Sequence, residues 1–255
     1  MSFFAGVDIG SVSSKAVIIN ENRIASFEVI ASGGSYREAG SKALDSALSK
    51  ISLSRADLSM IVATGYGASN ISSDKQVNEF SCQGRALNHL FPEVRTIIDI
   101  GGQASRVIRV DSRGRVADFA ISEKCAAGSG RFLQVMARVL QMKVEDLGPL
   151  SLKSSNAVRF GTGCAVFAES EAITRITQGN AKEDIIAGVH NSIAAKVLNL
   201  IQRVRLEREC AITGGGALDI GLVRSVEAVI GVSLLIPPQP QITAALGAAL
   251  IARET

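Results

Sequence analysis

Two cysteine segments have the clearest capacity for chemistry in this chain. The first is Cys125–Gly130 (CAAGSG), and in the second Cys164 follows the glycine-rich stretch 161–163. Apolar residues at helical spacing come after each segment, which predicts a helix running out of each thiol. The unpaired N–H groups and the positive dipole end at a helix start favour anionic sulfur, so both thiols suit metal ligation.

Two explanations stay open for these thiols. Buried cysteines commonly act as small hydrophobic side chains, and this explanation applies to any single cysteine. Two ligands cannot complete a tetrahedral thiolate site. If the two thiols do hold a metal centre, a second chain must supply the other half, which points to a cluster shared across a two-fold axis.

A second candidate site lies where the apolar strand Phe3–Ile9 ends in an aspartate and a Gly/Ser turn. The chain then returns as strand Ala16–Asn20, followed by a third strand over Arg23–Ile30. Backbone N–H groups and hydroxyls in such a turn can cradle phosphate oxygens, and Asp8 can hold Mg²⁺ through water. A plain hairpin turn with a solvated Asp and Lys is the alternative. The predicted phosphate-contacting residues are Ser11, Val12, Ser13, Ser14 and Lys15.

The same pattern restarts at Ile97, where an apolar strand again ends in an aspartate and glycines, Asp99-Ile100-Gly101-Gly102-Gln103. An internal duplication of this size indicates two lobes with a cleft between them, in which two phosphate turns would hold one nucleotide and its metal. Asp99 would then orient Mg²⁺, and Gln103 would position the attacking water. We expect a first lobe of residues 1–96 plus 241–255, and a second of residues 97–240 carrying the cysteines.

A triple glycine follows the strand Cys210–Thr213 and precedes a predicted helix. Glycines let the backbone approach a flat ligand closely, and adenine is the natural candidate. A helix C-cap or a tight turn explains the glycines equally well. The predicted nucleotide-contacting residues here are Gly214, Gly215, Gly216, Ala217 and Asp219, with Gln241 added from the segment before the last helix.

Other segments predict the framework around these sites. Ser35 and Glu38 form a capping box that starts a helix, residues 181–207 form a long amphipathic helix, and Ala157–Phe160 is predicted as a short strand. The small residues of the segment 243–250 predict a closely packed final helix. Cys82 and Cys210 lie in helix-like and strand-like runs, so we expect them to be bystanders. His89 and His190 have no companion at metal-ligand spacing and are expected to be structural or exposed.

Composition narrows the classes of function. The chain has 255 residues, of which 47% are hydrophobic and 20% are charged, with a formal net charge of +3. Nucleic acid is an unexpected partner because no basic run occurs. No apolar run reaches the roughly 18 residues of a membrane span, so no membrane association is expected. Four widely separated cysteines argue against a disulfide scaffold and for a reducing cytoplasm.

The motifs together resemble a known family. Asp8–Ser11 (DIGS), Asp99–Gly102 (DIGG) and Thr213–Gly216 (TGGG) resemble the two phosphate motifs and the adenosine motif of the acetate kinase/sugar kinase/Hsp70/actin superfamily. The segments Cys125–Phe132 and Cys164–Glu171 resemble the activator (component A) of (R)-2-hydroxyacyl-CoA dehydratases and the ATPase subunits of benzoyl-CoA reductases. The resemblance covers nearly the whole chain and includes the motif of residues 64–67. It implies an α/β, two-lobed actin-like (ribonuclease H-like) ATPase fold.

The resemblance also implies a function. Family members are homodimers with one [4Fe-4S] cluster on the two-fold axis, which here would be held by Cys125 and Cys164 of each subunit. They bind ATP and Mg²⁺, take an electron from ferredoxin or flavodoxin, and pass it to an iron–sulfur dehydratase or reductase. A cluster-free sugar or acyl kinase of the same superfamily is the alternative, and a non-catalytic nucleotide sensor is a third possibility.

This sequence departs from the family pattern near the second turn. Ala104 and Arg106 stand where the family often has Asp and Lys, and Ser129 replaces a common Thr. The second phosphate turn has therefore lost a carboxylate. We expect a slow basal rate of ATP hydrolysis as the consequence.

Overall fold

The computed structural model describes residues 2–21, 23–122, 128–161 and 165–255, without the side chains of residues 165 and 166. The chain divides into two compact units. The first comprises Met1–Ile97, Val110–Ala117 and Pro237–Thr255, and the second comprises Ile98–Arg109 and Asp118–Ile236.

Each unit contains one sheet with helices around it. The strands are β1 (Phe3–Ile9), β2 (Ser13–Asn20), β3 (Arg23–Ala31), β4 (Leu58–Thr64), β5 (Lys75–Gln76), β6 (Thr96–Ile100), β7 (Ser105–Val110), β8 (Val116–Ile121) and β9 (Cys210–Thr213). The helices are α1 (Tyr36–Ser49), α2 (Glu79–Leu90), α3 (Gly130–Val139), α4 (Leu147–Ser151), α5 (Ala165–Thr177), α6 (Lys182–Val204), α7 (Ile220–Ile230) and α8 (Thr243–Glu254).

The first sheet has the strand order β3-β2-β1-β4-β5. β2 is antiparallel to β1 and β3, whereas β4 runs parallel to β1, so Asp8 and Thr64 become register partners at the same sheet edge. The helix predicted from Ser35 is confirmed, because the Ser35 hydroxyl accepts a hydrogen bond from the Glu38 N–H. That cap satisfies one of the N–H groups that a helix start leaves unpaired.

Small residues allow the last helix to lie directly against the first sheet. A Cβ placed on Gly6 of β1 would lie 2.0 Å from the Ala245 carbonyl oxygen, and one placed on Gly247 would lie 1.8 Å from the Cys82 carbonyl oxygen. Neither position therefore has room for a side chain. The close packing predicted for α8 from its small residues is confirmed, with β1 on one side and α2 on the other.

The second unit has the strand order β8-β7-β6-β9. This is the order β3-β2-β1-β4 of the first sheet, repeated with the strands that carry Asp8 and Asp99 in matching places. In the first unit α1 connects the third and fourth strands, whereas in the second unit α3 to α6 fill the corresponding connection. The segments that carry Cys125 and Cys164 therefore belong to an enlarged connection between β8 and β9.

The core of the second unit confirms one helix prediction and corrects one strand prediction. α6 is the long amphipathic helix expected there, and its buried face includes Ile186, Val189 and Val197. Residues 157–160 do not form a strand. Val158 instead donates a backbone hydrogen bond to the Asp184 carbonyl in α6, and a Cβ on Gly188 would lie 2.0 Å from the Val158 oxygen. The backbone N–H of Val158 is thus hydrogen bonded to the first turn of α6 and not to a neighbouring strand.

None of the helices in the described parts of the chain is long and apolar enough to cross a membrane.

Candidate functional site

The first candidate phosphate turn is a tight connection between β1 and β2. The Gly10 N–H donates to the Ser13 carbonyl at 3.1 Å, which closes the turn. Asp8 and Lys15 are register partners across the two strands, and Lys15 Nζ lies 2.9 Å from Asp8 Oδ2. The two side chains are only 5% and 14% exposed, so the ion pair is largely removed from water.

The other carboxylate oxygen of Asp8 has no partner among the described residues. Oδ1 is fully buried and makes no hydrogen bond there. A buried acceptor left unsatisfied costs about 1–3 kcal/mol, so a bound water or cation at this oxygen would be stabilising. An unsatisfied carboxylate oxygen is compatible with the predicted role of Asp8, which is to hold Mg²⁺ through water.

Serine hydroxyls brace this turn from the inside. The Ser14 side chain is fully buried and lies 2.9 Å from the Ser32 hydroxyl, which donates to the Gly10 carbonyl at 2.6 Å. Ser14 was predicted as a phosphate contact, and the structure places its hydroxyl in this brace. Ser11, Val12 and Ser13 are partly exposed. Sequence reasoning did not identify Ser32, because it lies 18 residues after Ser14, past the end of β3.

The second candidate turn repeats this geometry with different residues. The Gly101 N–H donates to the Ala104 carbonyl at 3.0 Å, and Arg106 Nη1 lies 2.8 Å from Asp99 Oδ2. A Cβ on Gly10 would lie 3.2 Å from Lys15 Nζ, and a Cβ on Gly101 would lie 3.2 Å from Arg106 Nη1. Each turn therefore has a cation beside its glycine, anchored by the preceding aspartate.

Arg106 is a candidate site residue that the sequence reasoning noted only as a departure from a motif. Its spacing from Asp99 equals the spacing of Lys15 from Asp8, and this equality was the signal that could have identified it. Gln103 is exposed at the tip of the second turn, so its amide is accessible to a ligand.

A glycine loop packs against the aspartate of each turn. Gly214 has a φ of +82°, and a Cβ there would lie 2.5 Å from Asp99 Oδ1. Gly65 has a φ of +90°, and a Cβ there would lie 2.4 Å from Asp8 Oδ1. Only glycine satisfies both the backbone conformation and the lack of space. Residues 64–67 are thus the first unit's counterpart of the triple-glycine loop, with Tyr66 in the place of Gly215.

The remaining predicted nucleotide contacts lie around the triple glycine and at the last helix. Gly215 is exposed, whereas Gly216 and Ala217 are buried in the short 3-10 turn that leads to α7. Asp219 is buried and caps α7, because its Oδ1 accepts from the Leu222 N–H at 2.9 Å. Gln241 is partly exposed in the 3-10 turn Pro240–Ile242 of the first unit.

Cys125 and Cys164 lie outside the described residues, but the helices beyond them are described. α3 begins at Gly130 and α5 begins at Ala165, which confirms a helix after each cysteine segment. The first two N–H groups of α3 are bonded to the second turn: Gly130 donates to the Gly101 carbonyl at 2.9 Å, and Arg131 donates to the Gly102 carbonyl at 3.0 Å. N–H groups at a helix start have no partner within the helix, so the turn acts as the cap of α3.

The two other cysteines are buried. Burial, the largest effect, raises the pKa of the Cys82 thiol to about 12, although the nearby Thr64 side chain lowers it. Cys82 therefore remains a protonated thiol, which is a poor metal ligand. Cys210 is also buried, and its thiol donates to the Glu207 carbonyl at 3.4 Å.

Comparison of the whole chain with solved structures defines the class of protein. A ROK family glucokinase from Streptomyces griseus, in complex with glucose and AMPPNP, matches with a TM-score of 0.63 at 14% identity over all of both chains. The activator of the 2-hydroxyisocaproyl-CoA dehydratase from Clostridium difficile, with bound ADPNP, matches with a TM-score of 0.95 at 43% identity. That match covers 99% of this chain and 94% of the other. The chain therefore has the actin-like ATPase fold that the resemblance implied.

Comparison of the sequence defines the family. Residues 5–252 match the BadF/BadG/BcrA/BcrD ATPase family. A 2-hydroxyisocaproyl-CoA dehydratase activator from Clostridioides difficile is 44% identical over 249 residues, covering 97% of this chain and 93% of its own length. The chain belongs to the BadF/BadG/BcrA/BcrD ATPase family.

Proposed function

We propose that this protein is an ATP-dependent electron-transfer activator. As a homodimer it would hold one [4Fe-4S] cluster and couple ATP hydrolysis to low-potential electron donation. A backbone connection in the second unit carries this conclusion: the carbonyls of Gly101 and Gly102 cap the helix that follows the Cys125 segment. Nucleotide chemistry at the turn can thereby act on the segment that holds a cluster ligand.

The two turns and the triple-glycine loop each carry residues suited to a different part of Mg·ATP. Lys15 and Arg106 neutralise phosphate charge, and Asp8 and Asp99 orient Mg²⁺. Gly214 to Ala217 lie against the adenosine, where the absence of side chains allows close approach. The exposed amide of Gln103 orients the attacking water without abstracting its proton.

The cysteine pair fits a shared cluster by donor chemistry and by number. A cubane of this kind takes four thiolates, and each chain offers Cys125 and Cys164, each followed along the sequence by a helix. When bound, such a cluster supplies one-electron transfer at a potential set by its exposure and hydrogen bonding. The partial positive charge at the start of α5 would stabilise the thiolate of Cys164, which directly precedes that helix in the sequence.

Coupling follows from the cap of α3. We expect the tight Gly101–Ala104 turn to adjust its backbone when it binds or releases a γ-phosphate, and α3 is hydrogen bonded to that backbone. In other nucleotide-binding proteins, contacts to the nucleotide phosphates order or position a switch segment, and hydrolysis changes that order or position. α3 would therefore move with the nucleotide state and change the surroundings of Cys125.

The partners follow from this chemistry. Ferredoxin or flavodoxin would supply the electron in a reducing cytoplasm, and an iron–sulfur dehydratase or reductase would accept it. The 44% identity to a dehydratase activator favours a 2-hydroxyacyl-CoA dehydratase as the acceptor.

Anaerobic purification tests the proposal. We expect a brown protein with absorbance at about 400 nm and about four iron atoms per dimer. Its ATPase activity should rise when an acceptor protein docks. A colourless, iron-free protein that phosphorylates a sugar or an acyl group would instead identify a cluster-free kinase of the same fold.

A further inference from the structure

Two buried oxygen atoms at neighbouring strand ends of the first unit have no hydrogen-bond partner among the described residues. They are Asp8 Oδ1 at the end of β1 and Thr64 Oγ1 at the end of β4. Asp8 is 4% exposed and Thr64 is completely buried. A buried carboxylate or hydroxyl oxygen without a partner costs free energy, so the pair calls for a physical explanation.

The register of the sheet places both side chains on the same face. Asp8 and Thr64 are partners in parallel strands, as are Gly6 and Val62 two residues earlier. Residues two apart in a strand lie on one face of the sheet. A Cβ on Gly6 would meet the backbone of α8, and Val62 packs against Cys82 of α2. Asp8 and Thr64 therefore face the layer formed by α2 and α8.

The thiol of Cys82 lies near both oxygens in that layer. Burial raises the pKa of this thiol to about 12, while the Thr64 side chain lowers it and the charge of Asp8 raises it. Both side chains are thus close enough to Cys82 to act on it. A thiol is only a weak hydrogen-bond donor, so Cys82 is a poor substitute for a stronger partner of either oxygen.

One water molecule matches the spacing and the chemistry of the two oxygens. Neighbouring strands lie about 4.7–4.9 Å apart, and two hydrogen bonds of about 2.8 Å through one water span a similar distance. A carboxylate oxygen accepts hydrogen bonds, and a hydroxyl both donates and accepts. A single water can therefore donate to Asp8 Oδ1 and at the same time bond Thr64 Oγ1.

The residues around Asp8 leave Oδ1 available for such a water. Lys15 Nζ holds the other oxygen, Oδ2, at 2.9 Å. A Cβ on Gly65 would lie 2.4 Å from Oδ1, so a side chain at position 65 would occupy the space beside this oxygen. The carboxylate is thus held through one oxygen, with space kept beside the other.

We propose that Thr64 is a positioning residue for the metal of Mg·ATP: its hydroxyl and Asp8 Oδ1 together hold one of the metal's water ligands. Mg²⁺ loses its waters reluctantly and usually keeps several when it binds to carboxylates and substrate phosphates. A water already held by two protein groups costs less to order when the metal binds. This inference rests on the proposed binding of Mg·ATP.

Mn²⁺ binding in the presence of saturating ADPNP measures the effect. Mn²⁺ accepts the same carboxylate and water ligands as Mg²⁺ and is followed by electron paramagnetic resonance. Thr64→Val keeps the size of the side chain but removes the hydroxyl. We expect its Kd for Mn²⁺ to rise about tenfold, which corresponds to about 1.4 kcal/mol. Thr64→Ser keeps a hydroxyl and should bind Mn²⁺ nearly as tightly as the wild type.

Ser26→Ala is the control for the loss of a buried hydroxyl in the same unit. Ser26 donates to the Ala47 carbonyl at 2.6 Å, so this variant should unfold at a lower urea concentration and bind Mn²⁺ like the wild type. Without nucleotide, Thr64→Val should unfold at the same urea concentration as the wild type or a higher one. A loss of stability as large as that of Ser26→Ala would mean that the Thr64 hydroxyl bonds within the chain, and would overturn the inference.

A crystal structure of the wild-type protein shows the water directly, whatever the variants do. We expect an ordered water within about 3 Å of both Thr64 Oγ1 and Asp8 Oδ1. If other buried waters are visible and this one is absent, or if Thr64→Val binds Mn²⁺ within twofold as tightly as the wild type, the inference is wrong while the ATP site stands. If the wild type does not bind ADPNP at all, the proposed nucleotide site itself fails.

Discussion

A buried carboxylate beside a cation recurs at both candidate phosphate turns of this chain. Lys15 and Arg106 occupy equivalent places, yet they differ chemically. A lysine ammonium is a compact point charge, whereas a guanidinium can hold Asp99 and a phosphate oxygen at the same time through separate N–H groups. Arg106 can therefore keep its ion pair with Asp99 while it binds a ligand.

Removing the cation from the second turn should weaken nucleotide binding. Arg106→Gln leaves the buried Asp99 carboxylate unpaired and withdraws a positive charge, so we expect kcat/KM for ATP to fall about tenfold or more. Arg106→Lys should retain much of the activity. Arg109→Gln on the same strand breaks only the exposed ion pair with Glu207 and is the matched control. Equal kcat/KM values for Arg106→Gln and Arg109→Gln would contradict the role of Arg106.

A substitution at position 104 tests whether the missing carboxylate slows ATP hydrolysis. Ala104→Asp restores the acidic residue that the family often has after Gln103, and we expect a faster basal ATPase with a stronger dependence on Mg²⁺. Steady-state hydrolysis at several Mg²⁺ concentrations measures both effects. An unchanged rate and Mg²⁺ dependence would mean that Ala104 is not the departure that matters.

At the scale of elements, both glycine loops are tightly constrained pieces of backbone, in conformation and in space. Gly214→Ala places a Cβ against Asp99 and imposes a left-handed φ on alanine, so we expect a loss of several kcal/mol in the free energy of unfolding and of nucleotide binding. Gly33→Ala is the control for strain alone, since Gly33 has a φ of +56° with no atom near its Cβ position. It should lose only about 1–2 kcal/mol. Urea unfolding of the two variants makes the comparison, and similar losses would show that the close packing at Gly214 is unimportant.

One of the two backbone hydrogen bonds that cap α3 can be removed, with a second variant that accounts for the loss of the Arg131 side chain. Arg131→Pro deletes the N–H that bonds Gly102, and proline is tolerated in the first turn of a helix. Arg131→Ala keeps the N–H and is the matched control. We expect both variants to bind ADPNP, whereas only Arg131→Pro should lose most of the nucleotide-dependent shift in the cluster's reduction potential. The same shift in both variants would exclude this backbone connection as the coupling route.

Local patterns were enough to predict the strand–turn–strand units, the helices after the cysteines and the close packing of α8. These features depend on hydrophobic periodicity and on glycine spacing, which are visible in a short window of sequence. The Ser32 brace and the cap of α3 depend on register between segments that are distant in the chain, so the sequence did not reveal them. The Arg106–Asp99 pair was missed although its spacing equals that of Lys15 and Asp8. The strand wrongly predicted at Ala157–Phe160 has the same origin as the missed brace and cap, since Val158 makes its backbone hydrogen bond to α6 and not to a neighbouring strand.

At the scale of the whole molecule, the proposal requires that two chains share four thiolates. Because such a cluster bonds both subunits, its binding free energy is coupled to assembly, and its loss should weaken the dimer. The two buried cysteines of the described chain supply internal controls for this requirement. Cys82 is a protonated thiol in α2, and the Cys210 thiol in β9 donates a hydrogen bond to the Glu207 carbonyl of its own chain.

Iron content and gel filtration of the four single Cys→Ser variants, purified without oxygen, test the central claim most directly. Serine is a poor replacement for thiolate at iron, so Cys125→Ser and Cys164→Ser should lose the cluster and shift towards monomer. Cys82→Ser and Cys210→Ser should keep about four iron atoms per dimer. A Cys125→Ser protein that retains its iron while Cys82→Ser or Cys210→Ser loses it would contradict the assignment.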